Sequence, residues 1–173
     1  MFGTVQEKIR FLYKFTRYPG QIGSILPSSV WLAEKMIAAV PWNEVRYAAE
    51  LGAGTGAVTR RIDAVKEKRA KVLLFEKDAD MRGELARLFP NYSCHEDACA
   101  LRRVLREEGI PELDCVLSGL PFFNFPQPVR DRLLDEIAAS LRHGGWLVAF
   151  QYSTQMRKQL GRKFKLEHIH FVP

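Results

Sequence analysis

The residues with the most chemical promise stand in one run, Glu50-Leu51-Gly52-Ala53-Gly54-Thr55-Gly56. Glycines at alternate positions let a backbone turn sharply and approach a ligand closely. The run follows a strand-like segment and opens a helical one, which is the setting such a loop needs. Twenty residues after Gly56 the next apolar segment ends in Glu76, whose carboxylate can accept hydrogen bonds from both hydroxyls of a ribose. A dinucleotide would also use a glycine loop and a distal acid, so that ligand stays open. Three details favour another. The glycine spacing is G-x-G-x-G rather than G-x-G-x-x-G. The strand before the loop carries an acid, Glu50, which suits a ligand with ammonium and sulfonium groups better than a pyrophosphate. A third acid, Asp97, follows the third strand, where it can accept from an adenine amine. Together these suit S-adenosylmethionine. Asp97-Ala98 also opens a helix, so Asp97 has the alternative role of an N-cap, and one carboxylate can do both.

A second run of interest, Ser118-Gly119-Leu120-Pro121-Phe122, ends the fourth strand and continues into Phe123-Asn124-Phe125-Pro126. Ligands of open parallel sheets sit beyond the carboxyl ends of the strands, which places this loop beside the ligand of the glycine loop.

As a set, E-L-G-A-G-T-G with Glu76 and Asp97 resembles the class I methyltransferase pattern over residues 46–152. The resemblance implies a Rossmann-like fold, S-adenosylmethionine as methyl donor and S-adenosylhomocysteine as product. The cofactor contacts it implies are Glu50, Gly52, Ala53, Gly54, Gly56, Glu76, Lys77, Asp97, Ala98 and Ser118. The S-G-L-P-F loop resembles the Asn/Asp-Pro-Pro-Tyr loop of amino-group methyltransferases, and more closely the N-L-P-Y form of the ribosomal RNA adenine dimethylases. In that family the first polar side chain and a proline-region carbonyl accept from the target amine, and the aromatic stacks on the base. Here Ser118 replaces the amide or acid and Phe122 replaces the tyrosine. The S-G-L-P-F form is also similar to the bacterial phospholipid N-methyltransferases, which methylate the amine of phosphatidylethanolamine up to phosphatidylcholine. Residues 15–29, F-T-R-Y-P-G-Q-I-G-S-I-L-P-S-S, resemble that family's N-terminal segment, so this likeness spans nearly the whole chain. Gln21-Ile22-Gly23 is similar to the G-Q-N-F-L segment of the adenine dimethylases, which implies cofactor contacts at Gln21 and Gly23.

The chemistry so implied is in-line displacement from a sulfonium by a neutral amine, in which holding donor and acceptor in line supplies most of the catalysis. Ser118 and the Leu120 carbonyl are the expected acceptors for the amine protons, with Gly119, Pro121 and Phe122 completing the catalytic loop. Methylation ends in a quaternary cation, which aromatic faces attract. Phe122, Phe123, Phe125 and Tyr18 are the candidates, Phe123 and Phe125 having the alternative of packing over the sheet edge.

The elements that must position these residues follow from periodicity. Val5, Ile9, Leu12 and Phe15 predict a helix over residues 4–17, flanked by Lys8, Arg10, Lys14 and Arg17 and ended by Pro19-Gly20. Ser28 and Ser29 offer an N-cap for a helix through Val40. Then strands at Arg46–Leu51, Lys71–Glu76, Asn91–His95, Leu113–Ser118 and Trp146–Tyr152 alternate with helices at Thr55–Lys66, Ala79–Phe89, Ala98–Glu108 and Pro128–Arg142. Single helices between strands imply a mostly parallel central sheet with right-handed crossovers, an α/β fold flanked by helices. A short helix and a strand-like run, Phe164–Val172, close the sequence. Such sheets commonly finish in an antiparallel hairpin, of which only one strand is visible, so the last strand is expected to be absent or lost with a tail. The reading is one domain over 1–173, with 1–29 as amphipathic helix and lid segment and 30–173 as the cofactor-binding core.

Length agrees with one domain: 173 residues, about half of them apolar. No apolar run approaches the ~20 residues of a membrane span, and no signal-peptide pattern opens the chain, so a cytoplasmic location is expected. Cys94, Cys99 and Cys115 form neither a C-x-x-C pair nor an even set, which argues against disulfides and zinc. His168 and His170 would share a strand face without a third ligand, so no metal is expected. The net charge of +6 predicts an anionic partner, membrane or nucleic acid. The basic amphipathic first helix favours peripheral contact with an anionic membrane, presenting phospholipid as substrate. Its alternative is a lid docked on the catalytic core. The RNA alternative lacks the C-terminal helical domain of the adenine dimethylases. A small-molecule amine methyltransferase and a non-catalytic binding module are the remaining classes.

Overall fold

The computed structural model describes residues 27–171. The helix expected over residues 4–17, together with Tyr18, Gln21, Gly23 and Val172, lies outside the described residues. Helix α1 (Pro27–Ala38) leads to five strands, β1 (Tyr47–Leu51), β2 (Lys71–Phe75), β3 (Ser93–His95), β4 (Leu113–Ser118) and β5 (Leu141–Ala149). Between and after them run α2 (Ala57–Val65), α3 (Ala79–Leu88), α4 (Leu101–Glu107), α5 (Gln127–Ser140) and α6 (Arg157–Leu160). The strands form one sheet in the order β3-β2-β1-β4-β5, every pair parallel.

Near-continuous apolar runs such as Lys71-Val-Leu-Leu-Phe75 are what a sheet covered on both faces requires. Alternate side chains divide between two cores. Ala49, Leu51, Leu73, Phe75 and Val116 meet Leu101, Val104 and Leu105 of α4 and Leu133, Leu134 and Ile137 of α5. Ala48, Val72, Leu74, Cys115 and Leu117 meet Met36 and Ile37 of α1, Ile62 of α2 and Leu85 of α3. The alternation slips at Leu113–Cys115, where the β4–β5 register shifts opposite Gly144 and Gly145, so that Cys115 pairs with Trp146. The strand expected at Trp146–Tyr152 therefore begins earlier, at Leu141, and contains both glycines. The cysteines are free, and burial pushes the Cys115 thiol up to about 12, so it is a small apolar core residue at neutral pH.

The final run departs from expectation. Residues 165–171 form no strand. Alternating side chains alone do not make a strand, because its backbone groups need a ladder partner, and among the described residues this run has none. Leu166, Ile169 and Phe171 are exposed, and Lys165 pairs instead with Glu167. The helix expected from Ala98 begins with a short 3-10 turn, Ala98–Ala100, before α4. Among the described residues no helix is long and apolar enough to cross a membrane.

Asp114 ties three strands together. Its Oδ2 accepts from the Arg46 and Tyr47 amides, both at 2.8 Å, and its Oδ1 accepts from Arg142 Nε at 2.7 Å. Burial alone would raise its pKa, but these donors outweigh burial and hold it below the usual carboxylate value. Asp114→Ala is expected to cost about 1–3 kcal/mol, seen as a lower Tm in thermal denaturation. The difference from wild type should be full near neutral pH and should shrink as acid protonates the native carboxyl.

Candidate active site

Strand order dictates where the site forms. From β1 the chain runs outward through β2 and β3, then returns to lay β4 and β5 on the other side. The connections leaving β1 and β4 therefore diverge, opening a crevice beyond their carboxyl ends. A cleft of about 250 Å³ lies there, lined by Met36, Glu50, Gly52, Ala53, Gly54, Thr55, Ala57, Val58, Leu117, Gly119 and Tyr152. The glycine loop and the S-G-L-P-F loop, some sixty residues apart in sequence, thus share one cavity.

The glycine loop is pinned by backbone bonds from the Gly52 and Ala53 amides to the Phe75 carbonyl, at 2.8 and 3.1 Å. Gly52 and Gly54 both have positive φ, +77° and +54°, which a side chain would strain. A Cβ at Gly52 would strike Leu120 Cδ2 at 2.7 Å, so the two loops touch. A Cβ at Gly54 would meet nothing within 4 Å. The backbone there borders open cleft, the cradle that close approach of a ligand requires. Gly56 caps the start of α2.

Glu50 is the main electrostatic feature. Its side chain is only 3% exposed, and among the described residues its hydrogen-bond partner is the Thr59 hydroxyl, at 2.7 Å from Oε2. Burial, set against that hydrogen bond, pushes its pKa up to about 8, and the nearby Glu76 adds to the rise. A buried carboxyl beside a cleft with so little to stabilise its charge is suited to a cation arriving in that cleft. S-adenosylmethionine brings ammonium and sulfonium groups, so the residues present fit it. Glu76, at the end of β2, accepts from the Gly54 amide at 2.8 Å through Oε2 and from the Asp78 amide at 2.9 Å through Oε1. Each oxygen retains acceptor capacity for a hydroxyl.

Other expected residues stand further out. Asp97 is exposed and accepts from the Cys99 amide at 2.9 Å, so its capping role is realised, and Ala98 begins the turn it caps. Lys77 is exposed, and its carbonyl accepts from Arg82 at 3.1 Å. Lys77, Asp97 and Ala98 sit after β2 and β3 and do not line the cleft.

In the second loop the Gly119 amide donates to the Leu51 carbonyl at 3.0 Å and the Phe150 amide to the Ser118 carbonyl at 2.9 Å, extending the sheet into the loop. Ser118 is wholly buried, and its hydroxyl accepts from the Leu120 amide at 3.2 Å. It shapes the turn instead of facing the cleft. Leu120 and Pro121 are half-buried. Phe122 is corrected most: its ring is fully buried in the core with Leu133 and Ile137, and offers no face to an acceptor. A phenylalanine lacks the hydroxyl that would hold a tyrosine at the surface, and the 3-10 turn Phe122–Asn124 rolls it inward. Phe123 is exposed, but the Arg130 guanidinium stands 5.4 Å over its ring. Phe125 packs against the same core.

Among the described residues the aromatic that lines the cleft is Tyr152, 67% exposed and edge-on to Phe150 at 4.9 Å between centroids. Sequence reasoning passed over it, together with Gln151 and Thr59. The placement rule for parallel sheets would have found Tyr152, since it follows the end of β5. Among the described residues no group of three or more His, Cys, Asp or Glu side chains could hold a metal ion.

No protein-family model matches the sequence. The chain is 33% identical over 150 residues to the ornithine lipid N-methyltransferase of Singulisphaera acidiphila, a match covering 84% of this chain and 77% of that protein. Among solved structures, Streptomyces venezuelae DesVI superposes with a TM-score of 0.57 at 14% identity, over 87% of this chain and 59% of its own. A TehB-like SAM-dependent methyltransferase from Corynebacterium glutamicum superposes with a TM-score of 0.53 at 16% identity, over 84% of this chain and 73% of its own. The chain thus spans less than two thirds of the length of DesVI. At these identities the superpositions establish a shared fold.

Proposed function

Because the chain belongs to the lipid N-methyltransferase family within the class I S-adenosylmethionine-dependent methyltransferases, we propose that it methylates the amine of phosphatidylethanolamine-type phospholipid headgroups. The observation that carries this reading is the cleft where buried Glu50 and the glycine loop meet the Ser118–Phe122 loop, in a chain related to an enzyme of a lipid amine. An ornithine lipid and a phosphatidylethanolamine offer the same chemistry, an amine at a membrane surface.

S-adenosylmethionine, the cofactor, would supply a methyl group that a neutral amine takes in line, with the neutral thioether of S-adenosylhomocysteine as leaving group. The chain's own residues hold and aim the reactants. Glu50 offers a carboxylate to the ligand's cationic end, Glu76 takes ribose hydroxyls, and Gly54 lets the backbone close on the ligand. The Leu120 carbonyl accepts a hydrogen bond from the amine, Ser118 fixes the turn that presents it, and the proton that the methylated nitrogen sheds passes to water. Positioning of this kind supplies most of the rate in a displacement that needs no strong base.

Tyr152 replaces Phe122 as the aromatic that meets the methylated ammonium. Tyr152→Ala is expected to raise the KM for lipid by about 3–30-fold, the value of one cation–π contact, while Tyr152→Phe stays near wild type. Steady-state kinetics on mixed micelles decide it. Contact with the bilayer is assigned to the basic amphipathic residues 1–17 and, through them, to the anionic inner face of a membrane.

The test is transfer of radiolabelled methyl to vesicles of phosphatidylethanolamine and anionic lipid and, separately, to unmodified small-subunit RNA. Label in lipid, reduced when residues 1–17 are deleted, is the expected result. Label in RNA with none in lipid would overturn the lipid reading.

A further inference from the structure

We propose that Gln151 is a positioning residue for methyl transfer, acting through Leu120 without touching either reactant. The inference rests on the reading of the Ser118–Phe122 loop as the acceptor loop. Gln151 follows β5 and is half-buried. Its Nε2 donates to the Leu120 carbonyl at 2.8 Å and to the Phe150 carbonyl at 2.6 Å. Its Oε1 accepts from the Phe122 amide at 3.1 Å. The two carbonyls can only accept and the amide can only donate, so these partners dictate the orientation of the carboxamide.

Leu120 is thereby held from both sides. Its N–H is taken by Ser118 Oγ at 3.2 Å and its C=O by Gln151. A carbonyl oxygen has two lone pairs. Gln151 uses one and fixes the peptide plane, which fixes where the other is offered to the amine. The same side chain ties residue 122 to the sheet, so it spans the proline turn. No other residue type reproduces this. Glutamate keeps the acceptor for Phe122 but sets a carboxylate against two carbonyl oxygens. Leucine keeps the volume but loses every bond, and asparagine is one methylene short. Gln151 is absent from the lining of the cofactor cleft, so cofactor binding has no direct stake in it.

Gln151→Glu and Gln151→Leu test the role with whichever acceptor the wild-type chain labels, so that failure of the lipid reading shows in wild type and failure of this proposal shows in the variants. Three quantities are measured: the Kd for S-adenosylhomocysteine by calorimetry, kcat per cofactor-binding site, and amide exchange at Leu120 and Phe122. The expected result is an unchanged Kd, a kcat lowered about tenfold in both variants, and faster exchange at Phe122 in Gln151→Leu alone. A kcat near wild type in a folded variant would overturn the proposal. So would a fall in kcat matched by an equal loss of cofactor affinity, the mark of general damage. If Gln151→Leu does not fold, Gln151→Glu, which keeps the Phe122 bond, decides alone.

Discussion

Changing Glu50 to glutamine will weaken S-adenosylmethionine binding by about 100-fold at pH 8, the scale of removing one charge from a desolvated pair. The prediction has a pH signature of its own. In the free protein burial pushes the Glu50 carboxyl up to about 8, outweighing the hydrogen bond from Thr59. Between pH 6 and 8 a cationic ligand must therefore draw the proton off before it can pair with the carboxylate. Affinity should climb by up to tenfold per pH unit in that window and level off above it. In Glu50→Gln the climb should vanish. Stability runs the opposite way. An unfolded glutamate ionises at its model value of 4.5. Free wild-type protein should thus lose up to about 1.4 kcal/mol for each pH unit from 4.5 to 8, and Glu50→Gln should not. Calorimetric titration and denaturant melts at several pH values check both halves. Equal pH slopes for wild type and variant in binding would remove Glu50 from the cofactor site.

The second large effect is expected at Gly52, and its value lies in the contrast with Gly54. Alanine at either position forces a side chain into left-handed backbone, costing about 1–2 kcal/mol of stability. The neighbours differ. At Gly52 the new methyl meets Leu120 Cδ2 at 2.7 Å and Cγ at 3.2 Å, so Leu120 must move. A shift near 1 Å in the acceptor loop costs on the order of 100-fold in rate. Gly52→Ala should therefore lower kcat, by up to about that factor where the Leu120 backbone follows its side chain. At Gly54 the methyl meets no protein atom within 4 Å and intrudes into the cleft itself. Gly54→Ala should raise the cofactor Kd by about tenfold or more while leaving kcat at saturation closer to wild type. Single-turnover kinetics with saturating cofactor separate the two. Identical profiles would mean that the loops do not divide the labour in this way.

How much of this was legible beforehand differs by element. Strands β1, β2 and β4 and the glycine loop were readable because apolar runs, turn glycines and a trailing acid are local signals, and the parallel sheet followed from their alternation. Glu50, Gly52 and Gly119 could be brought to one place from the rule about carboxyl ends of strands. The ring direction of Phe122 could not, since a one-residue roll of a turn sends an aromatic to core or cleft without altering its spacing. Gln151 was invisible for another reason: its partners, Leu120 and Phe122, are about thirty residues away, and only the β4–β5 pairing makes them neighbours. The run after Phe164 misled because alternation records what a strand would bury, while a strand also needs a neighbour. Asp97 was readable as a cap, since capping is local, and its Oδ1 fills that role.

The path of the acceptor loop is laid down chiefly by main-chain bonds, Gly119 to Leu51 and Phe150 to Ser118, and by one carboxamide outside it. Of the loop's own residues, Ser118 and Phe122 are buried and hold the turn, while Gly119 and Phe123 are exposed. Such an arrangement is permissive toward mutation: the residues that taste the acceptor can be exchanged while the scaffold that aims it, and the donor site bonded to it, stay in place. Drift in substrate preference would proceed here by substitution at a few exposed positions, without passing through an unfolded or cofactor-free ancestor.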